Sequence, residues 1–96
     1  MANRTGLGLP FGDQIVSYVW SKGGVDAQYD TATWRYDICG TWMRWQDYGN
    51  RGSEFGWEID HIFPLARAGS DDPENLQPLN WRNNQATGDT YPWKCP

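Results

Sequence analysis

The chain has 96 residues, eight Lys and Arg against twelve Asp and Glu, and a net charge of −4. That length holds one compact domain, and seven Trp with five Tyr exclude the aromatic-poor composition of a disordered chain. No run approaches the roughly 18 apolar residues of a membrane span. The start, Met1 to Gly12, lacks the apolar core of a secretory signal, so a soluble, cytoplasmic protein is expected.

In chain order, residues 1–12 read as an arm. Asp13 to Lys22 then carries Ile15, Val16, Val19 and Trp20 on one helical face, with Asp13 as cap and Gly23-Gly24 as stop. Its valines keep a strand as the alternative. Asp30 to Asp37 reads as a short helical turn. Thr41 to Asp47 alternates weakly, as a strand would, and Tyr48 to Gly56 is rich in turn residues. Phe55 to Phe63 is a strand by its aromatic and β-branched content, ended by Pro64. Ala66 to Glu74 is a polar loop whose acids, Asp71, Asp72 and Glu74, read as solvated. Leu76 to Leu79 is at best a short edge strand, broken by Pro78. Trp81 to Asp89 reads as a final helix stopped at Gly88, and the tail from Tyr91 as extended. Trp20, Trp34, Trp42, Trp45 and Trp57 read as core or near-core residues. The spacing of Cys39 and Cys95 demands no bridge, and free thiols are expected.

The single histidine, His61, follows Asp60 at a predicted strand end. An acid beside a histidine can hold a metal while the imidazole takes a proton from water, since imidazole titrates near neutrality. A hard divalent metal would polarise a phosphate. Asn75 and Asn84 supply further polar groups, one in the loop and one on the final helix.

The stretch from Gly56 to Asp89, GWEIDHIFPLARAGSDDPENLQPLNWRNNQATGD, resembles the HNH endonuclease signature. That signature has an acid-His pair, a loop ending in Asn-Leu-Gln-x-Leu, and an Asn or His nine residues on. The preceding DICGTWMRWQDYGNRGSEFGW is similar, more loosely, to the start of small stand-alone HNH proteins. The resemblance implies an α+β fold with a ββα-metal core at 56–89, inside one domain from 13 to 96 with an N-terminal helical or strand extension. It implies a DNA endonuclease with His61 as general base and Asn75 bracing the loop and orienting His61. One divalent metal, magnesium or manganese with nickel or zinc as alternatives, would sit on Asp60 and Asn84. Glu58 shares the Asp60 face of the strand, as a further metal ligand or as a surface ion pair. Arg67 and Arg82 are the favoured phosphate contacts among the arginines. Asn80 and Asn83 stand where zinc-binding members carry cysteines, so no structural zinc is expected. Thr87 stands where many members carry lysine.

The implied partner is DNA, with RNA as alternative, and the chain a monomer or weak dimer. The acidic balance lacks the basic footprint of nucleic-acid binding, though a bound cation would cancel part of the local charge. That balance and Thr87 keep open a second reading, a catalytically weak nucleic-acid-binding or adaptor module of the same fold. A third, a secreted disulfide-stapled domain, rests only on the two cysteines.

Overall fold

The computed structural model describes residues 3–96; Met1 and Ala2 of the expected arm lie outside the described residues. The apolar face read in the first half folds as helix α1, Asp13–Trp20, which buries Val16, Val19 and Trp20. Gly12, not Asp13, occupies the cap and makes no side-chain bond. Asp13 instead lies in the first turn, where a negative charge suits the helix dipole. The chain then turns through Gly23-Gly24, and Gly24 bridges to Tyr36. A Cβ on Gly24 would lie 2.1 Å from the Tyr36 ring, so only glycine fits there.

The segment expected as a helical turn divides in two. The Asp30 carbonyl accepts from Trp34 N, and its side chain accepts from Ala32 N, which completes the turn within a few residues. Trp34–Tyr36 then extends as strand β1, antiparallel to β2, Trp42–Arg44. Aromatic residues suit a pleated surface better than a helix. Met43 faces the core, while Trp34, Tyr36 and Trp42 share the opposite face of the hairpin.

A second hairpin pairs β3, Trp57–His61, with β4, Leu76–Asn80. Pro78 was expected to break β4, yet the strand runs through it, opposite Ile59. Ile59 N points away from β4, donating to Asn3 Oδ1 at 2.7 Å. This is therefore a non-hydrogen-bonded pair, in which the missing proline N–H costs nothing. Trp57, Ile59 and Leu76 join α1, Phe11 and Met43 in the core. Lys22, just past α1, donates to the Leu76 carbonyl at 2.7 Å.

Helix α2, Trp81–Thr87, follows β4 directly and packs against both strands. Asn80 caps it, accepting from Arg82 N at 3.0 Å. Two helices and two antiparallel strand pairs make this an α+β fold. No described helix is long and apolar enough to cross a membrane.

The expectation of free thiols is overturned: Cys39 and Cys95 form a disulfide with Cα atoms 5.5 Å apart. The tail beyond α2 folds back across the turn between β1 and β2, a closeness that sequence spacing does not reveal. Under that turn lies Asp37. Its Oδ1 accepts from Cys39 N and Thr41 N, both at 2.9 Å. Its Oδ2 accepts from Asn80 N at 3.0 Å and Asn83 Nδ2 at 2.9 Å. Asn80 also donates to the carbonyls of Trp42 and Glu54. Asn80 and Asn83 thus tie α2 to both hairpins through hydrogen bonds.

Candidate active site

Strand β3 carries the site, and its alternation sorts the residues. Glu58 and Asp60 point to the α2 face, while His61 points with Trp57 and Ile59 toward α1. All five β3 residues are buried.

On the α2 face, Asp60 Oδ2 accepts from Gln77 Nε2 at 2.9 Å, across the ladder. Burial raises the Asp60 pKa above the ordinary aspartate value, with the Gln77 bond acting against it. Glu58 makes a bidentate pair with Arg51, at 2.7 and 2.8 Å, and accepts from Asn84 Nδ2 at 2.8 Å. Burial pushes the Glu58 pKa up, but the bonds from Arg51 and Asn84 outweigh it and hold it below the usual value. An ionised carboxylate only accepts hydrogen bonds. Glu58 therefore takes the amino end of the Asn84 amide and turns Oδ1 away from itself. Asn84 is fully buried, and that Oδ1 has no hydrogen-bond partner in the protein.

On the other face, His61 is only 2% exposed. Its Nε2 lies 2.8 Å from Asp71 Oδ1, and the Phe11 ring is 5.9 Å away. Asp71 also accepts from Gly6 N through both oxygens, at 3.0 and 2.9 Å. The His61 contact, then the Gly6 bond, hold the Asp71 pKa below the usual carboxylate value. An ionised Asp71 requires a proton on Nε2, so in a neutral imidazole the lone pair is on Nδ1. Nδ1 is buried and has no hydrogen-bond partner in the protein.

Asn75 holds the loop between the strands. Its carbonyl accepts from Ile62 N, its Oδ1 accepts from Phe63 N, and its Nδ2 donates to the carbonyls of Phe63 and Ser70. The loop is drawn so tight that a Cβ on Gly69 would lie 1.8 Å from the Phe63 carbonyl oxygen. Asn75 thus fixes the residues that follow His61, with no bond to the ring itself among those described.

Of the predicted residues, Glu58 and Asn84 touch, Asp60 shares their face, and His61 lies on the reverse. Among the described residues no three His, Cys, Asp or Glu side chains converge as a metal cluster; the carboxylates are joined by amides instead. Arg67 is exposed at the end of a short 3-10 turn, and Arg82 lies over the Trp81 ring. Asp71 is exposed, as its sequence setting implies, but sequence reasoning missed its contact with His61. It also missed Arg4, which lines a cleft of about 590 Å³ with Arg51, Tyr48 and Glu58. Nothing in the spacing marks Arg4; Arg51 lies near the motif but carries no pattern of its own.

A hairpin followed by a helix, with acid, histidine and asparagine side chains on its first strand and its helix, defines a small α+β protein. Residues 49–90 match the family model described as HNH endonuclease. Over this segment, a little under half of its length, the chain is similar to the HNH endonuclease family. Comparisons with curated proteins and with solved structures gave no match.

Proposed function

We propose that the chain hydrolyses phosphodiester bonds in DNA, with β3, β4 and α2 as a ββα-metal core inside a domain from 13 to 96. One observation carries this reading. Among the described residues, the only buried side-chain polar atoms without a hydrogen-bond partner are His61 Nδ1 and Asn84 Oδ1. Buried polar atoms are nearly always paired, and an exception calls for a functional explanation. Both exceptions fall on residues that the signature marks.

The residues fit a divalent cation. Asn84 Oδ1 is aimed away from Glu58, and Gln77 takes only Oδ2 of Asp60. Oxygen donors suit magnesium or manganese. When bound, such a cation supplies charge stabilisation of the phosphate and the leaving 3′ oxygen. The side chains do the rest. Asp71 fixes the His61 tautomer, Nδ1 takes a proton from water, and Asp71 stabilises the imidazolium that results. The scissile phosphate spans the end of β3, where the two faces meet. Arg4 and Arg51 offer charge to the flanking backbone, alongside Arg67 and Arg82. Gly6 and Phe11 cover His61, so substrate entry displaces the N-terminal arm.

That cover also favours a second reading, a nucleic-acid-binding module of the same fold without turnover. Plasmid cleavage with Mg²⁺, Mn²⁺, Ni²⁺ or EDTA separates the two. The expected result is metal-dependent cleavage that His61→Ala lowers about 10²–10⁴-fold, the usual value of a general base. Unchanged cleavage by His61→Ala removes the assigned base. Tight DNA binding with no cleavage under any metal leaves the binding module.

The Cys39–Cys95 bridge favours an oxidising compartment over the expected cytosol. Thiol titration of protein taken directly from its source cells, with alkylation at lysis, tests this: free thiols restore the cytosolic reading.

A further inference from the structure

The outward face of the first hairpin is aromatic where a solvent face is ordinarily polar. Tyr29, Trp34, Trp42 and Phe55 line a pocket of about 170 Å³ there. Its walls stand nearly upright to one another. The Trp34 ring meets Trp42 at 89° and Phe55 at 89°, and Tyr29 meets Trp42 at 67°. Rings crossed at these angles cannot all turn the same way, so the pocket is bounded by aromatic surface in more than one orientation. The volume is below the ~300–1,000 Å³ that takes a drug-sized ligand, so the occupant is a single small group.

We propose that this pocket is an aromatic cage for a methylated ammonium group, separate from the HNH centre and independent of the nuclease reading. Ring faces carry negative potential, and quaternary ammonium is the ligand that such cages take. The neighbouring charge selects a cation over a nucleobase or a proline ring. Exposed Asp30 follows Tyr29 and exposed Glu54 precedes Phe55, which suits a cation and repels a phosphate. Arg44, on the same hairpin face, is held by Asp47 at 3.0 Å. Elsewhere the chain supplies its own cations to its rings: Lys22 to Tyr18, Arg35 to Trp20, and Arg51 and Arg82 to Trp81. Among the described residues the four cage rings receive none.

The test compares choline with 3,3-dimethylbutan-1-ol, which replaces the ammonium nitrogen by carbon and keeps the shape. Both are titrated into the full chain while the Trp34 and Trp42 indole N–H signals are followed by NMR. Choline should bind about tenfold tighter, the sum expected of several modest cation–π contacts. Tyr29→Ala, at a half-exposed ring, should weaken choline about threefold or more without unfolding the chain. Equal binding of the two alcohols, or unchanged choline affinity in Tyr29→Ala, overturns the cage. So does tighter binding of thymidine monophosphate than of choline at the same signals, which would make this a base-stacking site. Titration with trimethyl-lysine and with phosphocholine then assigns the carrier: the tighter of the two identifies a protein side chain or a lipid headgroup, and either supports the proposal.

Discussion

Two buried polar centres flank α2, and they are built to opposite rules. Around Asp37 each carboxyl oxygen accepts two N–H groups, and the Nδ2 groups of Asn80 and Asn83 each donate twice. Around β3 the bonds stop short, and His61 Nδ1 and Asn84 Oδ1 are left open. A polar group satisfied by its own chain contributes to stability and has nothing to offer a ligand. A buried group left open costs stability and is free to react. The first centre holds the fold and the second holds the chemistry, and they meet one short helix at neighbouring residues, Asn83 and Asn84.

Separate losses of stability and of function would sharpen this contrast. The largest stability effect should come from Asp37→Ala, which strands several buried donors at once. The expected loss is about 3 kcal/mol or more, about 12–24 °C in melting temperature for a domain this size. A melting shift under about 4 °C would show that the first centre is dispensable and break the comparison.

Asp60→Ala should behave in the opposite way. Metal affinity should fall well over tenfold by calorimetry, because a carboxylate is the strongest hard-cation ligand present, while the melting temperature of the metal-free protein changes little. His61→Ala should keep that affinity. Equal loss of affinity in both variants would move His61 from base to ligand.

A smaller effect is expected of Glu58→Gln, which keeps shape and removes the charge. The new amide can donate to Asn84 Oδ1, so the Asn84 amide loses its fixed direction. Metal affinity should fall about tenfold, the order seen when an orienting partner of a metal ligand is lost. The Asn84 side-chain NH₂ signals should shift in metal-free protein. Unshifted signals with unchanged affinity would mean that Glu58 serves only its pair with Arg51.

The smallest effect concerns acid. Asp47 bonds to Arg44 and Ser53, and these bonds hold its pKa below the ordinary aspartate value. A depressed carboxylate stabilises the fold above its unfolded pKa, and that contribution is lost as pH falls through the lower, folded one. Melting temperature should therefore drop on acidification below the usual carboxylate range, and drop less in Asp47→Asn. Parallel curves for the two proteins would remove Asp47 from the acid response.

The second half of the chain was the more legible in sequence. The β3 run, the loop and α2 announce themselves through aromatic and β-branched content, Pro64 and Gly88. The first half was harder because local signals there serve distant partners. The Asp30 turn hid β1, whose extension depends on pairing with β2. Pro78 looked like a break because the direction of the Ile59 N–H is not written in the sequence. Asp71 is solvated as read, but its partners, His61 and Gly6, were hidden because they come from segments that meet it only in three dimensions. The two cysteines gave no signal for the same reason.

The disulfide has a topological consequence. It closes a covalent ring from Cys39 to Cys95, 56 positions apart, which encloses both strands of the second hairpin, its loop and α2. Closing a ring of that size removes denatured-state entropy worth about 4 kcal/mol. A protease that nicks the exposed stretch from Ala66 to Ala68 would leave the two pieces joined as one molecule. The N-terminal arm lies outside the ring. A single cut between Gly6 and Phe11 would free the segment that ties Gly6 to Asp71, leaving the enclosed centre covalently whole and its histidine less covered.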